Sequence, residues 1–381
     1  MRIVLVVPGG VGADGIHEVI PALLSLVRRL ADRHDVLVIA TEQVTGRPSY
    51  ELEGARILAL GRSRSSPIGR ARVAWRTISA IRAFRPDLIH AFWLGPGSTS
   101  AIVAGRLLRV PVVVSVGGGE LVALPRIGYG GARSWRGRRH AGLALRLAAA
   151  VTAGSRSALT PMARRRRDAR WLPLGAERGP EARRSGGGPE DPTRLLVAAS
   201  INRVKGPDVI LGALVRARTA LRDDAGLSLD WLGEDTLGGS TMALARALGI
   251  ADVVQLRGFH PHPVVLAAWR STDLAIQGSY HESQGVAVLE AAMAGVPAVG
   301  TDVGLVAELA RAEPPAAIAV PVGDAAALGD AIVALARDPA RRARLGAAAR
   351  AWASAHDASW TAAAFETLYA ELTARRARRS R

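Results

Sequence analysis

The stretch Leu274-Ala-Ile-Gln277-Gly278-Ser-Tyr-His-Glu282-Ser-Gln-Gly285-Val-Ala-Val-Leu-Glu290-Ala-Ala-Met-Ala-Gly295-Val-Pro297-Ala-Val-Gly300 reads as strand, polar loop, helix and strand. Residues 274–277 are a short buried-type strand. Residues 284–294 are rich in helix-forming Ala, Leu, Met and Glu, and Gly295-Val-Pro297 supplies a helix stop. Residues 298–300 begin the next strand. Parallel neighbours need such a crossover helix, so the segment is one βαβ unit of a parallel sheet.

The same alternation extends outward. Upstream lie strand 194–199, helix 207–220, strand 227–232, helix 241–248, strand 253–256 and helix 263–270. The first half repeats it with strand 2–7, which ends in Pro8-Gly9-Gly10. Helix 19–30, strand 36–40, helix 71–83, strands 87–91 and 110–116 and helix 141–149 follow. Between the halves, residues 178–192 contain Gly-Pro, Gly-Gly-Gly-Pro and Asp-Pro, a linker composition. The expected architecture is α/β: two Rossmann-like, doubly wound domains facing each other across a cleft. The expected boundaries are 1–178, a linker 179–192, and 193–355. A terminal segment, 356–381, is helical over 360–375 and crosses back to brace the first domain. In such sheets ligands bind beyond the carboxyl ends of the strands.

The chain has 381 residues, 49% of them hydrophobic, and no cysteine. That length suits two domains, and the apolar fraction excludes wholesale disorder. A disulfide framework and any thiolate-ligated zinc or iron–sulfur site are excluded as well. No run approaches the ~18 apolar residues of a membrane span. Residues 1–8 lack the basic start and the length of a signal peptide, so a cytoplasmic protein is expected. The formal charge is +17, unevenly placed: residues 1–180 hold 28 Arg and 11 acids, residues 181–381 hold 22 cations and 22 acids. Lys205 is the only lysine among 50 cations. A general preference for arginine would act on both halves alike, so the asymmetry is a separate feature. A basic half attracts a phosphorylated substrate, an anionic lipid surface or nucleic acid.

Two loops carry the candidate chemistry. In the opening stretch, Gly285 and Val286 stand at a helix start, where free N–H groups and the helix dipole favour an anion. Glu282 precedes the helix and Glu290 lies more than one turn inside it. An ionised carboxylate accepts two hydrogen bonds at once, which suits the vicinal hydroxyls of a ribose or hexose. A dipole contact for one glutamate and a surface position for the other would explain the same spacing. The second loop, Ser200-Ile-Asn202-Arg203-Val-Lys205-Gly206-Pro207, joins strand 194–199 to helix 207–220. Arg203 and Lys205 are natural diphosphate partners; a solvated basic turn is the alternative.

Together these loops resemble the retaining, nucleotide-sugar-dependent glycosyltransferases of family 4 (glycosyl transferases group 1), which have the GT-B fold. Glu282 and Glu290 match the family's Glu-x7-Glu element, followed by its Ala-Ala-Met-Ala-Gly-Val-Pro run. Pro8-Gly9-Gly10 resembles its first glycine turn, Asp87-Leu-Ile-His90 its Asp-x-x-His strand, and residues 112–120 its next strand and catalytic loop. Pro173-Leu174-Gly175-Ala176-Glu177 resembles its interdomain turn.

The resemblance implies an enzyme that moves a sugar from a nucleoside diphosphate sugar to an acceptor with retention of configuration, a hexosyl- or related transferase. It implies no metal and no cofactor, and the chain has no Asp-x-Asp. It implies that Lys205 neutralises the leaving diphosphate, that Glu290 holds the ribose and that Glu282 contacts the donor sugar near the reacting carbon. Gly285 and Val286, beside Ser283 and Gln284, would offer N–H groups, and Gly9 and Gly10 would let backbone approach the diphosphate. Ser200, Asn202 and Arg203 belong to the same donor set. Many members have arginine where Ser200 stands, and Arg203 is the candidate replacement. Many also have histidine where Gly117 stands. His90 is then either an acceptor-side catalytic residue or a core histidine, and Glu120 is a further acceptor-side candidate.

In this resemblance the first domain handles the acceptor, which places the charge excess on the acceptor side. Arg126, Arg133, Arg136, Arg138 and Arg139 mix there with Tyr129 and Trp135; Arg62, Arg64, Arg70, Arg72 and Arg76 form a second cluster. Such loops suit a lipid-linked or anionic acceptor, or an anionic membrane surface met by residues 1–180. The latter would put the protein peripherally on the inner face of the membrane. Solvated surface is the alternative. Two rival classes remain. Gly10-Val-Gly12-Ala-Asp-Gly15, with Glu42 after the second strand, matches the dinucleotide fingerprint of an NAD(P)-dependent oxidoreductase, but leaves the second half unexplained. Charge alone suits nucleic acid. Yet the basic runs, including the four arginines 164–167, lack a reading motif and aromatics are few, so no nucleic-acid partner is expected.

Overall fold

The computed structural model describes residues 1–61, 66–163, 166–179, 192–221 and 226–379. The chain forms two compact units, Met1–Gly175 with Ala358–Arg381, and Ala176–Asp357. Of the expected linker 179–192, residues 180–191 lie outside the described residues.

The first unit runs β1 (Arg2–Val7), α1 (Pro21–Ala31), β2 (Asp35–Ala40), β3 (Ser49–Leu52), β4 (Ala55–Ala59), α2 (Pro67–Phe84) and β5 (Leu88–Phe92). It continues with α3 (Pro96–Leu108), β6 (Val112–Val116), α4 (Trp135–Leu147), β7 (Ala150–Ala153), α5 (Arg156–Leu159) and β8 (Arg170–Trp171). Its sheet has the order β3-β4-β2-β1-β5-β6-β7-β8, parallel except for the β3–β4 hairpin. β1, β5 and β6 are apolar at nearly every position because both faces of the sheet are covered. Val4, Val6, Ile89 and Val114 pack under α2, α3 and α4. Their neighbours Ile3, Leu5, Leu88 and Val113 point to the other face, toward α1.

The hairpin, α3 and β7 were not anticipated. α3 buries Ser98, Ser100, Ala101, Ala104 and Gly105. Gly105 and the two serines weaken the helix signal that the alanines carry, and close packing on the sheet decides the matter. The expected helix 141–149 instead starts at Trp135, where Ser134 caps it by accepting from Gly137 N. It stops at Leu147, before β7.

The second unit runs β9 (Thr193–Ala198), α6 (Pro207–Ala220), β10 (Leu227–Leu232), α7 (Ser240–Ala247), β11 (Val254–Gly258), α8 (His262–Ala268) and β12 (Leu274–Gln277). It continues with α9 (Val286–Ala294), β13 (Ala298–Thr301), α10 (Gly304–Ala310), β14 (Ala317–Val320), α11 (Ala325–Ala336) and α12 (Pro339–Ala355). Its six strands are all parallel, in the order β11-β10-β9-β12-β13-β14. The chain then returns as α13 (Ala358–Arg379), which belongs to the first unit. There Phe365, Leu368, Tyr369 and Leu372 join the core formed by Ile3, Leu5, Leu23 and Leu88. Each such buried side chain contributes about 1.5–3 kcal/mol. Strand order reverses between β1 and β5 in the first sheet and between β9 and β12 in the second, and these are the switch points where ligands bind. Among the described residues, no helix is long and apolar enough to cross a membrane.

Candidate functional site

β9 and β12 are parallel neighbours, so the loops that follow them leave from the same end of the second sheet. The first carries Ser200 to Lys205, the second Gly278 to Glu282. Asn202 starts a 3-10 turn over Arg203–Lys205, its side chain accepting from Lys205 N at 3.3 Å. Gly206 ends that turn at φ +63°, and a Cβ there would lie 2.1 Å from Gly278 O, so only glycine allows the loops to meet. Tyr280 N donates to Val204 O at 2.8 Å and ties them together. The result is a contact between the two predicted loops. Lys205 Nζ donates to Glu282 Oε1 at 2.6 Å, and Ser279 Oγ donates to the same oxygen at 2.8 Å. The Lys205 side chain is 26% exposed and that of Glu282 12%. A pair this sheltered is screened less than a surface pair, yet it stays reachable from solvent.

Glu290, on α9, is buried, which removes the surface reading of its spacing. Its Oε1 lies 2.8 Å from Nε2 of His262, the first residue of α8. Sequence reasoning passed over His262. The available signal was position: Phe259-His-Pro-His262 follows β11 at the same end of the sheet as the other two loops. Gly285 is the N-cap of α9 and has no side chain to cap it, so the first N–H groups, from Val286 on, face outward from the helix end. Ser283 and Gln284 are buried, and Gln284 O accepts from Leu305 N at 2.6 Å. Ser200 and Arg203 are exposed. Among the described residues neither side chain has a hydrogen-bond partner, so Arg203 is not drawn into the Lys205–Glu282 contact.

In the first unit, Gly9 and Gly10 follow β1, at its switch point. The N–H groups of Gly10 and Val11 donate to Gln43 Oε1 at 2.9 and 3.3 Å. Gln43 is buried beyond the end of β2 and donates in turn to Glu18. α1 begins only at Pro21, so the glycines of Gly10-Val-Gly12-Ala-Asp-Gly15 do not open the helix. The dinucleotide reading is thereby corrected, because that motif works by placing a pyrophosphate on a helix N-terminus.

His90 also needs correction as a catalytic candidate. It is wholly buried, with Nδ1 2.6 Å from Tyr369 Oη and Nε2 2.7 Å from Ser115 Oγ. Ser115 Oγ lies 2.6 Å from Thr152 Oγ1. Burial pushes the imidazole down to about 3, so it is a neutral core histidine. Glu120 accepts from Leu94 N and Gly117 N through Oε1 and from Gly118 N through Oε2. Its carboxylate clamps the loops after β5 and β6. A Cβ on Gly117 would lie 2.8 Å from Trp93 Nε1, so the Trp93 indole occupies the space a histidine would need.

The basic clusters divide. Arg62, Arg64, Arg164 and Arg165 lie outside the described residues. Arg166 donates to Leu145 O, Ala148 O and Ala149 O and pairs with Asp168. It satisfies carbonyls at the end of α4. Arg138 donates to Ala132 O and Arg133 to Gly128 O. Arg136 and Arg139 lie over the ring of Trp135, which is 57% exposed.

Residues 179–352 match the family model of glycosyl transferases group 1, and residues 19–175 that of a glycosyl transferase 4-like domain. The D-inositol 3-phosphate glycosyltransferase of Arthrobacter sp. strain FB24 is 38% identical over 183 residues, 45% of this chain and 40% of that protein. The chain thus spans about two fifths of the length of the first curated relatives it matches. A glycogen synthase of Mycobacterium tuberculosis is 28% identical over 410 residues, 98% of this chain and 93% of that one. The solved structure of Anabaena HepE in complex with UDP and glucose has the same fold: TM-score 0.75 at 18% identity, over 96% of this chain and 98% of that chain. A lysine–glutamate contact at a switch point could arise in many α/β sheets; two consecutive family matches narrow it, and the chain belongs to the glycosyl transferases group 1, with the GT-B fold and the family 4 type.

Proposed function

We propose that the protein transfers a sugar from a nucleoside diphosphate sugar to an acceptor, with retention of anomeric configuration. The observation that carries this reading is the convergence of Lys205, Glu282 and the buried Glu290 on the carboxyl end of one parallel sheet. Each group has a distinct task. Lys205 has three ammonium donors and uses one on Glu282, which leaves two for diphosphate oxygens. Charge develops on those oxygens as the glycosidic bond breaks, and a fixed cation stabilises it there. Glu290, oriented by His262, accepts from the two ribose hydroxyls. Glu282 Oε2, with no partner among the described residues, accepts from a hydroxyl of the donor sugar. The N–H groups that open α9 face the diphosphate or the sugar edge. The reaction as proposed uses no metal and no cofactor.

The HepE structure holds UDP and glucose, so UDP-sugars are the first donors to test. The acceptor is proposed to be anionic or lipid-linked, met by the basic first unit in the cytoplasm or at the inner face of a membrane. A thermal-shift screen against UDP, GDP, ADP and their common sugars tests the donor. Stabilisation by one nucleoside diphosphate, lost in Glu290→Ala, is expected; no stabilisation by any of them would refute the reading.

A further inference from the structure

We propose that the first unit docks on an anionic lipid bilayer through one face, the outer side of the helix layer α2, α3 and α4. Charge and exposure both single out this layer. The three helices carry nine arginines and no acidic residue. Between residues 66 and 163 the only acids are Asp87 and Glu120. Both carboxylates accept from backbone amides, Asp87 from Arg2 N at 2.8 Å and Glu120 from Leu94, Gly117 and Gly118. Arg76 and Arg138 each spend a donor on a carbonyl, Leu60 O and Ala132 O, which leaves their charge in place. No acid on the layer itself balances these guanidinium groups, whereas a surface that serves solubility alone mixes both signs.

The same layer holds the apolar side chains that stand furthest out of the molecule. Among the described residues the three most exposed large apolar side chains are Ile68 at 76%, Leu107 at 70% and Trp75 at 68%. Ile68 and Trp75 lie two turns apart on one side of α2, with Arg72 between them. Val103 and Leu107 share one side of α3 in the same way. Trp135 opens α4, and Arg136 and Arg139 lie over its ring. The opposite sides of these helices are already used, with Ile81, Phe84, Ile102 and Leu145 packed on the sheet. Singly exposed apolar residues are ordinary. Here they gather on adjacent helices among arginines, which is the interfacial pattern: apolar side chains enter the headgroup region while guanidinium groups meet lipid phosphates.

The face also has a direction. Each of the three helices crosses between parallel strands, so all three start at the carboxyl end of the sheet. Ile68 and Trp135 stand in the first turns of α2 and α4, at the end where the loops after β5 and β6 carry Trp93, Gly117 and Glu120. Docking by this face holds those loops beside the bilayer. It deepens the proposed transfer reaction, on which it rests, by giving the acceptor one class: a headgroup carried on a membrane lipid, which reaches the loops while its chains stay in the bilayer.

The test is co-sedimentation of full-length protein at low salt with vesicles of equal parts phosphatidylglycerol and phosphatidylcholine, compared with phosphatidylcholine alone. Wild type is expected to pellet with the anionic vesicles and to stay in solution with the neutral ones. Trp75→Ser/Trp135→Ser and Arg72→Ala/Arg139→Ala, all at exposed positions, should each lower the partition coefficient roughly tenfold or more. Leu244→Ser/Arg246→Ala, a matching change on α7 of the second unit, should leave it unchanged. Wild type that fails to pellet, face variants that pellet as wild type does, or an equal loss in the control would overturn the proposal. Binding to RNA with none to vesicles would overturn it too, by giving the face to a different polyanion. Donor stabilisation in the thermal-shift screen should persist in both face variants. Its absence in wild type would refute the transfer reading, whereas vesicle binding is measured without donor and tests the docking face by itself.

Discussion

Lys205 is the residue on which the proposed chemistry depends most, and composition already marked it. Removing it takes away the only lysine side chain in the sequence and leaves Glu282, 12% exposed, with Ser279 as its remaining hydrogen-bond partner among the described residues. Lys205→Ala is expected to lower transfer by roughly 10²–10³-fold. Lys205→Arg should restore only part of this, because a planar fork cannot make the same point contact with Glu282. Rates with a UDP-sugar check both, and near-normal turnover in Lys205→Ala would remove the lysine from the mechanism. His262 acts through Glu290. His262→Ala frees a buried carboxylate from its hydrogen-bond partner among the described residues, at a cost of about 1–2 kcal/mol. That loss should appear as a rise in donor KM of several-fold with kcat less changed, and His262→Asn should recover part of it. An unchanged KM would make the pair a packing contact. The pattern Glu-x7-Glu is legible in the sequence, whereas the histidine, the first residue of α8 and twenty residues upstream of Glu282, carries only the positional signal of following β11.

At the scale of elements, α13 is the piece whose role depends on distant partners. Its apolar residues mark a helix, but its place rests on Phe365, Leu368, Tyr369 and Leu372 entering the core of a unit whose other residues are mostly those before position 176. His90 is the polar link in that core, joined to Tyr369 on one side and Ser115 on the other. Tyr369→Phe keeps the ring and deletes the partner of His90 Nδ1, and should cost about 1–3 kcal/mol in urea unfolding. The imidazole also sets a pH dependence. Its folded pKa is about 3, below the ordinary ~6.5. Between those values the unfolded chain binds a proton that the folded one does not, so the term favours folding above pH ~6.5 and is lost as pH falls toward 3. From pH 6 to 4 this slope is about 1.4 kcal/mol per pH unit. Unfolding of wild type and His90→Asn across that range should differ by this slope. Parallel curves would show that His90 is not held neutral. The sequence left His90 open because a histidine in an apolar strand looks the same whether it faces a cleft or a core.

For the whole molecule, the structural units sharpen the charge asymmetry. The first unit, including α13, holds 32 Arg and 12 acids, a difference of +20; the second holds 18 cations and 21 acids, a difference of −3. The terminal helix therefore adds to the basic unit and does not dilute it. If that unit meets an anionic surface, the protein should pellet with vesicles containing acidic phospholipid at low salt and be released at ~1 M salt, where the Debye length falls to about 3 Å. Failure to pellet at low salt would leave the excess charge to the acceptor. By itself, the sequence determined the alternation of strands and helices, the division into two parallel-sheet units, and the loops that carry Lys205, Glu282 and Glu290. These follow from local periodicity, turn residues and a family pattern, all of which are written in neighbouring positions. Only the tertiary structure decided that α3 is a helix despite its glycines and serines, that His90 is buried and that Arg166 caps α4. The same holds for His262 meeting Glu290. Each of those depends on which residues far apart in the chain are brought together, and that is set by sheet order and side-chain packing, which no local pattern encodes.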